Sequence, residues 1–314
     1  MQFKGQLHLH STKSDGNATP SQVAEEYKKL GYDFIFFTDH GTSFDTSNIS
    51  NEILCLPGSE WQCATDEDMF YTNSLGNKCV IHVNACGTTD IFDLPKGKTI
   101  AQGISIMAKE IIKNGAIPTV NHPNWNWPEN GHAFGYRELL DIDEPYILEI
   151  GNMGNGCNNS GNDSIESVEY TWDVLLTKGK NIFVSMTDDA HEYRPEKRDL
   201  KIDTPGLGYV VIWADTLNEK NVMKALNCGN FYASNGLYLE EYEVTEKSIK
   251  IKTKDNGNNQ IITFKGKMGI PLKTVYGTCA EYEFQGIPDE EYVRVKVIDS
   301  KFNTLYTQAV IKKL

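Results

Sequence analysis

Short apolar runs rich in Ile, Val and Phe recur over the first two thirds of the chain. They fall at about Phe3–Leu9, Phe34–Thr38, Ile53–Leu56, Val80–Val83, Ala116–Val120, Tyr146–Ile150 and Ile182–Met186. Helix signals separate several of them. Thr19 is an N-cap residue followed by Pro20, which suits a first helical position, and Gly31 falls where such a helix stops. Thr99–Asn114 carries Ile100, Ile104, Met107, Ile111 and Ile112 as a helical stripe ending at Gly115, and Ser164–Gly179 behaves alike. Strand–helix alternation predicts an α/β fold, with parallel strands covered by helices.

The pattern changes after about residue 235. YLEEYEV, SIKIKTK, QIITFKG and YVRVKVID alternate with period two between DNGNN, GIP and DSKFN turns. That signature predicts a small antiparallel β-sandwich. The expected division is therefore residues 1–235 and residues 236–314, with the boundary near Ser234–Gly236. Gly151–Asn162 is Gly/Asn-rich and reads as a long loop.

Composition narrows the function classes. The 314 residues are 39% hydrophobic and 23% charged, an ordinary globular mix. No apolar run approaches the roughly 18 residues of a membrane span, and MQFKGQLHLH has no basic segment before an apolar stretch, so no secretory leader is expected. A net charge of −13 disfavours a nucleic-acid polymer as partner. Seven cysteines without a CxxC pair fit a reducing cytoplasm.

The residues that terminate the apolar runs carry the chemistry. The first run ends in His8 and His10, the second in Asp39 and His40, and the third leads to Glu60. The fourth contains His82, the fifth runs into His122, the sixth ends near Glu149, and the seventh leads to Asp188, Asp189 and His191. Strand ends of a closed β/α barrel converge on one face, which gathers these positions into one cluster. His8 and His10 are two apart on a strand and leave the same face, as do Asp189 and His191. Imidazoles and carboxylates without thiolates suit Mn, Fe(II) or Zn, and nine candidates imply two or three metals sharing bridging carboxylates. Each residue alone has a plainer role: Asp15 in KSDGN suits a turn, Glu149 a hydrogen-bond partner of a ligand, and the cysteines core filler. His132 lies outside the pattern.

LHLHSTKSDG, FFTDH, PGSE, HV, NHP and TDDAH, in that order and spacing, resemble the polymerase and histidinol phosphatase (PHP) family over about residues 1–235. The resemblance implies a distorted seven-stranded β/α, TIM-like barrel holding two or three metals. It implies a first metal on His8, His10, Glu60 and Asp189, a second on Asp15, His40 and His122, and a third sharing Glu60 with His82 and His191. Many members have His where this chain has Asp15. Of the two aspartates in TDDAH, Asp189 matches the family's DxH pattern. The two-part layout and HPNWNW are similar to the branch that includes carbaryl-type ester hydrolases.

The function implied is metal-assisted hydrolysis of a small phosphorylated metabolite by a metal-bridging hydroxide, with a carboxylic ester or amide hydrolase and a non-catalytic metal-binding module as alternatives. Asp189 and His191 are the expected catalytic groups. Arg194 is the expected phosphate contact, with Arg137 and Arg198 as other arginines, each of which also reads as solvated surface charge. Asp39 either orients His40 or acts directly. Trp61, Trp125 and Trp127 either wall the pocket or pack the barrel mouth.

Overall fold

The computed structural model describes residues 1–64, 70–92, 96–126, 133–200 and 203–311. Trp127, His132 and the side chain of Arg198 lie outside the described residues. The fold is mixed α/β. Its strands are β1 (Gln2–Gln6), β2 (Phe34–Phe36), β3 (Leu54–Leu56), β4 (Gly58–Cys63), β5 (Tyr71–Thr72), β6 (Lys78–Cys79), β7 (Ile81–Cys86), β8 (Ile117–Val120), β9 (Ile147–Asn152), β10 (Phe183–Thr187), β11 (Tyr209–Trp213) and β12 (Phe231–Ser234). Beyond them come β13 (Leu239–Val244), β14 (Ser248–Thr253), β15 (Gln260–Lys265), β16 (Pro271–Tyr276), β17 (Cys279–Glu283), β18 (Tyr292–Asp299), β19 (Thr304–Thr307) and β20 (Val310–Ile311). The helices are α1 (Pro20–Lys29), α2 (Ile100–Lys113), α3 (Tyr136–Leu139), α4 (Val168–Thr177) and α5 (Glu219–Asn227), none of them long and apolar enough to cross a membrane.

Local chemistry explains the helix limits. Thr19 and Gln22 form a reciprocal capping box at the start of α1. Thr99 caps α2, whose buried stripe includes Ile104, Met107 and Ile111. The chain turns at Gly31 and Gly115 with φ of 76° at each, a conformation glycine adopts without a Cβ penalty. Helix α4 starts later than its sequence pattern, because residues Asn162 and Ile165 pair across a turn and Ser167 caps the helix instead.

Two sheets position the site. One has the order β10-β9-β8-β7-β4, and the other runs β16-β15-β18-β19-β12-β11-β1-β2-β3, with β20 paired to β18. The alternation predicts parallel strands, but β4–β7, β7–β8 and β1–β11 are antiparallel. Between β3 and β4 the chain passes Pro57 and changes sheet, β3 pairing with β2 and β4 with β7. Gly58 permits the crossing, since a Cβ there would stand 3.0 Å from the carbonyls of Phe37 and Ala85. Parallel bridges Leu9–Ala190 and His40–Glu60 link the two sheets where the ligand-type residues lie. Beneath them Leu7, Phe34, Phe36, Leu56, Ile117, Ile147, Val210 and Ile212 form an apolar interior, closed by Val222 and Leu226 of α5.

The strands after residue 236 are antiparallel, and β14 and β15 alternate buried with half-buried residues as their sequences predict. One sheet nevertheless runs across residue 235, because β12 pairs with β19. A buried ion network joins β18 to α4. Arg294, fully buried, donates to both Asp173 oxygens at 2.7 and 2.6 Å and to Glu169 at 2.8 Å, and its guanidinium lies 4.8 Å from the Trp172 ring. Tyr292 donates to Asp173 at 2.8 Å and Lys265 to Glu169 at 2.7 Å. Truncating Arg294 to alanine leaves buried Asp173 without its cation and removes one of the cations around half-buried Glu169, which keeps Lys265 and Lys296. Urea unfolding of that variant is expected to show a loss of about 3–5 kcal/mol; a loss below about 1 kcal/mol contradicts the network's structural role.

Candidate metal centre

Glu60 lies at the middle of the cluster, on β4, with 1% of its surface exposed. Its Oε2 is 3.3 Å from His8 Nε2, 3.2 Å from His10 Nε2 and 3.1 Å from His40 Nδ1. Its Oε1 is 3.0 Å from His82 Nδ1 and 3.2 Å from His122 Nε2, and accepts from Asn121 Nδ2 at 2.8 Å. Asp189 Oδ1 stands 3.2 Å from His8 Nε2 and 3.1 Å from His10 Nε2. Asp15, more exposed, faces His10 Nδ1 at 3.6 Å, His40 Nε2 at 3.5 Å and His191 Nε2 at 3.4 Å.

Hydrogen bonds fix how these side chains are aimed. His8 Nδ1 bonds to Glu149 Oε1 at 2.7 Å, which turns Nε2 inward. The same Glu149 accepts from the Thr187 hydroxyl, the His122 N–H and the Asn152 amide. His191 Nδ1 donates to the Asp189 carbonyl at 2.8 Å and leaves Nε2 toward Asp15. Asp39 accepts from the N–H and hydroxyl groups of both Ser11 and Ser14, so it shapes the turn that presents Asp15. Asp188 accepts from the N–H groups of Gly206 and Leu207 and from the Tyr27 hydroxyl, fixing the chain that follows; burial pushes its pKa up to about 6 against those donors. His122 and Asp189 both have positive φ, 28° and 52°, a strained backbone for residues with side chains.

The donor set suits a divalent cation. With Nδ1 protonated toward Glu149, His8 directs a lone pair at His10 Nε2, 3.2 Å away, and at two carboxylate oxygens. Lone pairs converging in this way need a proton or a metal between them. Ligands bonded to one metal at about 2.0–2.2 Å stand about 3.0–3.5 Å apart, the spacing found here. Asp189 Oδ1 and His122 Nδ1 are also buried without a hydrogen-bond partner. Burial disfavours charge on His8, yet Asp189, Glu60 and Glu149 outweigh it and hold its pKa well above the ordinary value. Burial likewise opposes ionisation of Glu60, and His8, His82 and His40 overcome it, keeping its pKa well below the usual range.

No family model matches the sequence, and no curated protein matches it. Several solved structures are similar to it. A two-domain protein from Bacteroides vulgatus, named for a predicted PHP-like metal-dependent phosphoesterase, is 17% identical with a TM-score of 0.47, over 96% of this chain and 91% of that one. A protein from Bifidobacterium adolescentis named as a metal-dependent phosphoesterase is 13% identical with a TM-score of 0.42, over 60% of this chain and 87% of that one. An amidohydrolase from Chromobacterium violaceum, with bound sulfate and no metal, is 13% identical with a TM-score of 0.40, over the same shares.

The sequence-predicted ligand residues divide into groups that partly differ from those the resemblance implied. His8, His10, Glu60 and Asp189 stand together. Asp15 and His40 group with His10 and His191, not with His122, because His191 Nε2 faces Asp15 at 3.4 Å whereas His122 Nε2 faces Glu60 at 3.2 Å. Glu60 and His82 group with His40, and His122 Nε2 lies 3.3 Å from His82 Nδ1. Arg194 is not brought into the cluster: it is exposed and its guanidinium bonds to Glu192. Arg137 is held by Glu166 at 2.7 Å. Trp61 is buried against Phe92, whereas the Trp125 ring lies 6.3 Å from His82 and 5.5 Å from His122. Sequence reasoning missed Asn121 and Asn152; Asn121 directly precedes His122, a signal that was available.

The protonation pattern gives a testable sign. Burial lowers the His191 pKa, but the bond to Asp15 and the charge of Asp189 raise it to about 9. In the metal-free protein the raised His191 pKa contributes stability that is fully present below pH about 6.5 and is lost as pH rises through about 9. Metal requires neutral imidazole, so binding releases protons and its affinity rises over that span. Calorimetry of Mn²⁺ binding in two buffers of different ionisation enthalpy is expected to show net proton release near pH ~7; equal heats in the two buffers contradict it.

Proposed function

We propose that the protein is a metal-dependent hydrolase of the PHP type that cleaves a phosphate ester of a small metabolite. One observation carries this proposal: ligand-type side chains from separate strand ends converge on Glu60, with Asp189 Oδ1 buried and unpartnered beside them. His8, His10, Glu60 and Asp189 hold one metal; His10, Asp15, His40 and His191 hold a second; Glu60, His40 and His82, with His122 adjacent, hold a third. Mn, Fe(II) or Zn suits this set of imidazoles and carboxylates. Such ions supply Lewis acidity and lower the pKa of water from about 15.7 toward 7.

The chain's own residues do the rest. Glu149 fixes the His8 tautomer, and Asp189 accepts the proton of the attacking water. His191, on the exposed side with Asp15, stands toward the leaving oxygen. Arg137 and Arg194 are taken up by Glu166 and Glu192, and metal cations held at the site would supply positive charge to the phosphoryl group. Trp125 walls the pocket against the organic part of the substrate. The two bridged sheets are read as the distorted seven-stranded barrel, and residues 236–314 as a β-sandwich built onto it. Seven free thiols support a reducing, cytoplasmic setting.

The experiment is inorganic phosphate release by Mn-loaded protein over a panel of phosphorylated metabolites, with a naphthyl carboxylic ester alongside. Replacing His10 by alanine is expected to cut phosphate release at least about 1,000-fold while circular dichroism stays native-like. Wild-type rates in that variant contradict the assigned site. Ester cleavage without phosphate release moves the substrate class to carboxylic esters.

A further inference from the structure

Asn152 ends β9 and is 1% exposed. Its Nδ2 donates to Glu149 Oε2 at 2.9 Å and to Asp189 Oδ2 at 3.2 Å. Its Oδ1 accepts from the Gly154 N–H at 2.7 Å and from Cys157 Sγ at 3.3 Å. The amide has only one workable orientation, because Gly154 N–H can only donate and both carboxylates can only accept. The backbone is pinned as well: Asn152 N–H donates to Asn159 Oδ1 at 3.1 Å, and Asn159 Nδ2 donates to the Asn152 carbonyl at 2.8 Å.

A β-bulge brings the side chain there. Ser185 pairs with Glu149 but Met186 with Gly151, so Ile150 is an extra residue in β9. Without it, residues 149 and 151 would share the interior face; with it, Glu149 and Asn152 do. Gly154 is part of the same fit, since a Cβ there would stand 2.8 Å from Asn152 Oδ1 and 3.1 Å from Asp189 Oδ2.

We infer that Asn152 is a positioning residue of the metal centre: it ties down Oδ2 of Asp189 so that this carboxylate offers a single oxygen, Oδ1, to the metal. The inference rests on the metal-hydrolase proposal above. Asp189 Oδ1 faces His8 and His10 with no hydrogen-bond donor, while Oδ2 is already occupied by Asn152. The same amide locks Glu149, which aims His8, so one neutral group sets two ligands of one metal. A neutral donor is required at this point, because a third carboxylate would repel the other two and a lysine would compete with the metal for them.

The test titrates metal-free wild type, Asn152→Leu and Asn159→Ala with Co²⁺, following visible d–d absorption and equilibrium dialysis. Asn159→Ala loosens the same backbone without removing a donor from either carboxylate. Asn152→Leu is expected to weaken Co²⁺ binding at least about 10-fold and to change the d–d bands, whereas Asn159→Ala keeps the wild-type bands. If Asn152→Leu does not fold, Asn152→Ala gives the same readout at smaller volume. Wild-type affinity and spectrum in the Asn152 variant overturn the inference and leave the metal centre standing. An equal loss in Asn159→Ala also overturns it, since the effect is then one of loop folding. A wild-type protein that binds no Co²⁺ overturns both this inference and the function it rests on.

Discussion

A carboxylate buried within 3.3 Å of five imidazoles is the constraint on which the rest of the structure depends. Burial opposes ionisation of Glu60, and the His8, His82 and His40 rings beside it overcome that, while Asp189, Glu60 and Glu149 hold the His8 pKa well above its ordinary value. Removing either sign leaves the other buried without compensation, which costs several kcal/mol per ion. Such a cluster is stable in two ways: with protons shared among its rings, or with divalent cations in their place. Asp189 Oδ1, 3.2 Å from His8 Nε2 and 3.1 Å from His10 Nε2 yet buried without a hydrogen bond, fits the second.

The fold is arranged to hold this charge in place. Three carboxylates that bind no metal in this account anchor the backbone around it: Asp39 the Ser11–Asp15 turn, Asp188 the chain at Gly206–Gly208, and Glu149 both His8 and His122. The crossing at Pro57 delivers Glu60 to the seam between sheets, and the bulge in β9 delivers Asn152. At His122 and Asp189, both with positive φ, the packing of the cluster prevails over local backbone preference. Farther away, Arg294 ties β18 to α4, and the β12–β19 pairing carries the sheet that contains β1 on to β16.

Much of this was legible in the sequence. Capping residues and apolar periodicity located α1 and α2, and the polar residues closing each apolar run located the cluster. What periodicity left out has a physical reason in each case. Strand direction depends on how connections route through space, so the antiparallel pairs β4–β7 and β1–β11 were not expected. Strand β11, the run YVVIW, is apolar but ends in no ligand-type residue, so it and α5 after it stand apart from the runs that mark the cluster. Asn152 falls off the period-two pattern because a bulge adds a residue before it. The exchange of His122 and His191 between groups reflects which carboxylate each ring nitrogen meets in space, Asp15 for His191 and Glu60 for His122, which no spacing rule encodes. Arg194 is two residues from Glu192, and that local pairing competes with any reach toward the site.

The most direct measurement is an anomalous difference map from crystals grown with Zn²⁺, with data on both sides of the zinc edge. The account predicts a peak about 2.0–2.1 Å from His8 Nε2 and His10 Nε2, touching Glu60 and Asp189 Oδ1, with a second peak beside Asp15 and His191. A map without density among these residues, at a zinc concentration that occupies other sites on the protein, contradicts it.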